Sequence, residues 1–229
     1  MVIKGLQKLT LLDYPGKIAA TVFLGGCNFR CPFCHNASLV LPSRESTPIS
    51  EEEFFSFLSS RVGKLSGVCV SGGEPTLYPE LPTFISKIRA LGYSVKLDTN
   101  GYRPDVLASL INAGLIDYVA MDIKNSREKY ALTAGVENLD VSLIERSIAV
   151  LREKKVPYEF RTTVVRELHS YEDIMAIGEW LSGDESFFLQ PFRDSGDVIS
   201  GGLSGYSERE MNELLEGFLK FVPLAQIRG

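Results

Sequence analysis

Six times along the 229-residue chain a short apolar run is followed by an amphipathic stretch with helical spacing. This alternation restricts the fold to parallel strands joined by helical crossovers. The predicted strands are Ile18–Leu24, Val68–Ser71, Ser94–Asp98, Ile116–Asp122, Tyr158–Val165 and Ser186–Gln190. Most carry apolar residues on both faces, as strands do when helices cover a parallel sheet on both sides. Between them, Ser50 with Glu53 and Ser207 with Glu210 match capping boxes at helix starts. Leu81, Phe84, Ile85 and Ile88 make one helical stripe that Gly92 closes, and Pro104 opens the next helix, which Gly114 ends. Such stripes are core packing. Six units fall short of the eight of a closed barrel. The expected fold class is therefore α/β: an incomplete (β/α)6 TIM-like barrel, a parallel sheet with outer helices, forming a single domain over 1–229 whose open side can admit a large substrate.

A hydrophobic content of 45% supports one sizeable core in a chain of this length. The formal charge of -5 comes from 29 acids against 24 bases, with no run of five or six like charges, which argues against nucleic-acid binding by phosphate neutralisation. The opening Met1-Val2-Ile3-Lys4-Gly5 has no apolar h-region, and no apolar run reaches the ~18 residues of a membrane span. A cytoplasmic protein without membrane contact is expected. Of the four cysteines, Cys27, Cys31 and Cys34 are too tightly grouped to staple distant elements, which favours reduced thiols serving a metal.

In a parallel β/α fold, reacting groups collect where the chain leaves the C-terminal ends of the strands. The unusual residues of this chain lie there. The cysteine loop, 25–36, follows the first predicted strand, Gly72-Gly73-Glu74-Pro75 the second, Asp98-Thr99-Asn100-Gly101 the third, Asp122-Ile123-Lys124 the fourth and Gln190-Pro191 the sixth. The C-x3-C-x2-C spacing lets three thiols converge on one iron-sulfur cluster, and three ligands for four irons leave one iron open. The competing reading is structural zinc with His35 as fourth ligand, although zinc commonly takes two paired ligand segments. Cys69, alone in an apolar strand, reads as a small core residue. His169, just before a helix, reads as a solvated loop residue. Asp98 and Asp122 end neighbouring strands, where two carboxylates repel or share a proton or cation. A simpler reading pairs Asp122 with Lys124. Arg161, a charge inside the fifth strand, needs a partner or ligand.

Cys27-x3-Cys31-x2-Cys34 together with Gly72-Gly73-Glu74-Pro75 resembles the radical S-adenosylmethionine (SAM) superfamily, from Lys4 to about Pro191. Leu12-Asp13-Tyr14-Pro15-Gly16-Lys17 and Cys34-His35-Asn36 further resemble the activating enzymes of glycyl radical enzymes, in particular those serving anaerobic ribonucleoside-triphosphate reductase. The resemblance implies a 4Fe-4S cluster on the three cysteines and SAM on its open iron. It also implies a cofactor site of Phe33 near adenine, His35, Asn36, Gly72 and Gly73, with Glu74 accepting from the SAM ammonium group. Asp98, Thr99 and Asp122 would then hold a monovalent cation and Lys124 the SAM carboxylate, with Arg161 nearby. The implied reaction is reductive cleavage of SAM to a 5'-deoxyadenosyl radical, which takes a hydrogen atom from a glycine of a partner enzyme. A flavodoxin- or ferredoxin-type protein would donate the electron.

Two other readings stand beside it. One is radical chemistry on a small molecule, as in deazaguanine synthases, which tend to have a longer gap between the first two cysteines. The other is a non-catalytic metal-binding module, which has no need of the polar residues at the other strand ends. Arg193 stands where some activases carry a histidine. The stretch from Asp194 to Tyr206, rich in Gly, Ser and Asp, is expected to be a mobile loop.

Overall fold

A computed structural model describes residues 1–41, 47–194 and 196–229. Eight strands lie side by side in chain order in one sheet: β1 (Ile3–Thr10), β2 (Ala19–Leu24), β3 (Gly67–Gly72), β4 (Ser94–Thr99), β5 (Tyr118–Asp122), β6 (Tyr158–Val164), β7 (Phe187–Pro191) and β8 (Gln226–Ile227). Strands β2 to β7 are parallel to their neighbours, β1 runs antiparallel to β2, and β8 is parallel to β7. The six expected strands are these six parallel ones, each with bounds shifted by two residues or fewer. The fold is α/β, with a parallel-dominated sheet and surrounding helices.

The crossover helices α2 (Glu51–Ser60), α3 (Leu81–Ala90), α4 (Pro104–Asn112), α6 (Val141–Arg152) and α7 (Tyr171–Trp180) cover the outside, and α8 (Glu208–Phe218) follows β7. The short helices α1 (Ala37–Val40) and α5 (Tyr130–Ala134) lie near the cysteine loop. Ser207 and Glu210 form the full capping box, and so do Ser170 and Asp173. At Ser50 the hydroxyl accepts from the Glu53 amide at 3.0 Å. The α3 stripe of Leu81, Phe84, Ile85 and Ile88 is buried, with Phe84 stacked on Phe54 of α2 at 5.2 Å.

Side-chain alternation decides where the chemistry faces. Register pairs Thr21, Cys69, Lys96 and Tyr118 across four strands, and one step further along pairs Asp122 with Arg161. These residues share the concave side, while Val70, Leu97, Met121 and Phe160 belong to the apolar core. The concave side is polar: Lys96 and Glu159 are buried on it. Glu159 is satisfied by a two-pronged pair with Arg228, at 2.7 and 2.8 Å, and by the Tyr118 hydroxyl at 2.9 Å.

Candidate active site

The cysteine loop leaves β2 at Leu24 and is clamped from four directions. Gly25 N–H donates to Val2 O at 2.9 Å, Gly26 N–H to Leu39 O at 2.9 Å, the Tyr78 hydroxyl to Gly25 O at 2.8 Å, and Arg30 N–H to Ala134 O at 2.8 Å. The Arg30 guanidinium folds back onto the carbonyls of Cys27 and Phe29 at 2.6 and 2.7 Å. The loop is thus held largely through its backbone, and the Cys31 thiol also reaches Ala134 O at 3.8 Å.

The two glycines at the end of β3 explain why no larger residue stands there. Gly72 has φ +115°, and a Cβ on Gly73 would collide with the Gly26 carbonyl. That close approach lets Gly73 N–H reach Leu24 O at 2.8 Å and Glu74 N–H reach Gly26 O at 2.9 Å. Gly73→Ala is expected to lift the cysteine loop off β3, at about 1–3 kcal/mol of stability, and to lower iron bound per chain after anaerobic reconstitution. Full iron content with an unchanged melting temperature would contradict this.

Cys27, Cys31, Cys34, Phe33, His35 and Asn36 line one wall of a pocket, and Gly72, Gly73, Asp98, Asp122, Lys124 and Arg161 the others. About 860 Å³ of free space lies between these walls, open solvent at the mouth included. Burial pushes the Cys27 thiol up to about 11, Cys31 up to about 12, and Cys34 upward as well. Such thiols ionise when a positive centre joins them, so the donor set fits a thiolate-bound iron-sulfur cluster. Two amides are aimed at the Cys27 sulfur, Phe29 N–H at 3.3 Å and Asn100 Nδ2 at 3.8 Å, as donors to a thiolate would be. Among the described residues no three of His, Cys, Asp and Glu converge as ligands of a single ion do. His35, considered as a fourth zinc ligand, lies against the Phe192 ring at 5.2 Å.

The charged residues form a continuous ladder across the strand ends. Arg161 sits between the two carboxylates, 3.5 Å from Asp98 and 2.9 Å from Asp122. Lys96 pairs with Asp98, which also accepts from the Ser71 hydroxyl at 2.9 Å, and Lys124 pairs with Asp122 at 3.0 Å. Burial raises the Asp98 carboxyl, but Lys96 and Arg161 outweigh it and hold the group down at about 2. Asp122 is likewise lowered by Arg161 and Lys124 against its burial. At the place expected for a monovalent cation, the Arg161 guanidinium lies between Asp98 and Asp122, and the Thr99 hydroxyl turns to Glu74 at 2.8 Å.

Glu74, expected to accept from the SAM ammonium group, is hydrogen-bonded within the chain. Its carboxylate is fully buried and does not line the pocket. It accepts from Thr76 N–H at 3.1 Å, the Thr76 and Thr99 hydroxyls, and Asn100 N–H at 2.7 Å. Four donors occupy its oxygens, so it holds the ends of β3 and β4 together. His169 corrects the expectation of a solvated loop residue. It is 0% exposed, its Nδ1 accepts from Val165 N–H at 3.1 Å, and that bond places the proton on Nε2, which donates to Lys124 O at 2.8 Å. Burial lowers its pKa and keeps it neutral. Its ring lies 6.4 Å from Phe33, whose own face meets Lys124 Nζ at 5.9 Å, so His169 supports two pocket residues from behind. Cys69 is buried as expected, on the concave side with its sulfur 3.9 Å from Lys96 Nζ.

Asn36 caps α1 and donates to Gly72 O at 3.2 Å, tying the third cysteine to the glycine turn. Ser195, in the stretch expected to be mobile, lies outside the described residues. The rest of that stretch bonds to the cysteine side of the pocket: Ser200 N–H reaches Pro32 O at 2.9 Å and Asp197 accepts from the Ser38 hydroxyl at 2.6 Å. Sequence reasoning missed Asn28 as a site residue and read Asn100 only as part of a strand-end loop. Both are common loop residues, and only their meeting beside Cys27, Nδ2 of Asn100 to Oδ1 of Asn28 at 2.8 Å, marks them.

Comparison with known proteins agrees with this geometry. A protein of Methanocaldococcus jannaschii, provisionally described as a glycyl-radical enzyme activating enzyme, is 32% identical over 99% of this chain and 95% of its own length. The 7-carboxy-7-deazaguanine synthase of Koribacter versatilis is 30% identical over 70% of this chain and 67% of its own. Streptococcus suis SuiB, solved with S-adenosylmethionine bound, shares the fold with a TM-score of 0.66 at 15% identity, over 91% of this chain and 52% of that one. Residues 21–181 match the model of the Radical SAM superfamily. The chain belongs to that superfamily, whose cofactors are a 4Fe-4S cluster and S-adenosylmethionine.

Proposed function

We propose that the protein is an activating enzyme that generates a glycyl radical on a partner enzyme, anaerobic ribonucleoside-triphosphate reductase in particular. The observation that carries this reading is the end-to-end match to the Methanocaldococcus relative, which spans both the cysteine loop and the charged strand ends. When bound, the cluster and SAM supply one-electron chemistry able to remove a hydrogen atom from a glycine α-carbon.

The residues of the chain bind and orient. Cys27, Cys31 and Cys34 would hold the cluster, three thiolates for four irons. Lys124, fixed by Asp122 and by the His169 bond to its own carbonyl, presents its ammonium to the SAM carboxylate, with Arg161 beside it. Phe33, held edge-on by His169, offers a flat apolar wall to the adenine. Gly72, Gly73, His35 and Asn36 line the same pocket and would bound the amino acid end of SAM. A flavodoxin- or ferredoxin-type protein delivers the electron.

The deazaguanine synthase match favours a second reading, a small-molecule substrate in the same pocket. Anaerobic mixing of the reduced, reconstituted protein with SAM and a glycyl radical enzyme separates the two. A glycyl radical signal in electron spin resonance, absent without SAM, is the expected result. 5'-Deoxyadenosine formed with a small-molecule substrate but no radical on any glycyl radical enzyme would transfer the chain to the second reading.

A further inference from the structure

We infer that Asn100 is a positioning residue for the cluster: its side-chain amide donates to the Cys27 sulfur and raises the reduction potential of the cluster that Cys27 holds. The inference rests on Cys27 being a cluster ligand, as proposed above.

Asn100 is only 5% exposed, and its backbone N–H and both polar side-chain atoms have partners. Its backbone N–H donates to Glu74 Oε2 at 2.7 Å, which fixes the end of β4 to the turn after β3. Its Oδ1 accepts from Tyr102 N–H at 3.0 Å. That bond settles which way the amide points, because a flipped amide would set two donors against each other. Nδ2 therefore faces the cysteine loop, where one direction meets Asn28 Oδ1 at 2.8 Å and the other Cys27 Sγ at 3.8 Å. Two hydrogens on one nitrogen match two acceptors. Asn28 Oδ1 itself lies 3.9 Å from the same sulfur, so its bond to Asn100 also keeps this acceptor occupied. Tyr102 adds rigidity, since its ring packs edge-on against Phe29 at 5.5 Å, next to the Phe29 N–H that donates to Cys27.

Reduction adds a negative charge that spreads over cluster and ligand sulfurs, and a donor aimed at a ligand sulfur stabilises the reduced form more than the oxidised one. This assigns Glu74 a role that does not require it to touch SAM. Its buried carboxylate holds the Asn100 backbone, and Asn100 carries the effect to Cys27.

The test uses the reconstituted whole chain. Wild-type protein labelled with nitrogen-15 asparagine is examined by electron–nuclear double resonance of the reduced cluster, and the midpoint potential is measured for wild type and Asn100→Asp. The aspartate keeps the acceptor for Tyr102 N–H and removes both side-chain donors. An asparagine nitrogen coupling that disappears in the variant is expected. At a fixed potential the reduced-to-oxidised ratio should fall at least tenfold, ~59 mV for one electron. A wild-type cluster without asparagine coupling overturns the inference, and so does a fully iron-loaded variant with an unchanged midpoint. If the variant holds no iron, the wild-type spectrum decides by itself. Wild-type protein that binds no cluster at all overturns the cofactor assignment of Cys27 instead, a distinct result seen directly in the iron content.

Discussion

Cys27→Ala is expected to strip the protein of its four-iron cluster and to reduce 5'-deoxyadenosine formation to background. The loop that carries Cys27 is held by backbone bonds from Val2, Leu39, Tyr78 and Ala134, none of which involves the thiol. The fold should therefore survive while the chemistry is lost. Removing one thiolate leaves two for four irons, and the remaining sulfurs sit in surroundings that favour the protonated form, with Cys31 pushed up to about 12 by burial. Iron content and anaerobic product formation read the loss, and circular dichroism reads the fold. An iron-loaded, product-forming variant would remove the cysteine loop from the mechanism altogether.

Arg161→Met should have the largest effect on stability. The side chain is 15% exposed and neutralises Asp98 and Asp122 from between them, so its removal leaves two close carboxylates facing one another. Lys96 and Lys124 remain as partners, which places the loss near the lower end of the range for breaking a buried ion pair, about 3 kcal/mol at neutral pH. The pH dependence has a definite sign. The Asp98 carboxyl is held at about 2 in the folded protein, below the ~3.9 of an unfolded aspartate. Its stabilisation is thus complete above roughly pH 4 and is lost as the pH falls towards about 2. In the variant the folded carboxyls move upward and protonate sooner. The gap between wild type and variant should be widest near neutrality and should close in acid, as read by urea midpoints across that range. An equal gap at every pH would mean that packing, not charge, is what the arginine supplies.

The parallel strands were legible in the sequence because burial on both sides demands near-continuous apolar runs bounded by turn residues. The edges were not. In β1, Ile-Lys-Gly-Leu-Gln-Lys-Leu-Thr mixes lysines and a glycine into an antiparallel edge strand with one exposed side, a pattern that a search for two-sided apolar runs passes over. β8 is two residues long and exists through its pairing with β7.

The site divides along the same line. The thiol spacing and the twin glycines could be read directly, since each is a local requirement: sulfurs close enough for one cluster, and backbone with no room for a side chain. The partners of the charged groups could not. Glu74 accepts from Asn100, 26 positions away, and Arg161 reaches Asp122 across a spacing of 39. The sequence shows a glutamate beside two glycines but not Thr76, Thr99 and Asn100 on its oxygens. It shows two aspartates at adjacent strand ends but not the guanidinium between them. His169 looks like a solvated loop residue until the Lys124 carbonyl closes over it.

The sequence by itself determined the alternation of strands and helices, the face on which chemistry collects, and the three sulfurs with their glycine turn, because periodicity and spacing act over a few neighbouring residues. The tertiary structure decided which buried charges neutralise one another, why Glu74 stands behind the pocket and not in it, and which amide points at Cys27. Those outcomes depend on strand register, and register brings together side chains whose separation along the chain carries no trace of their meeting.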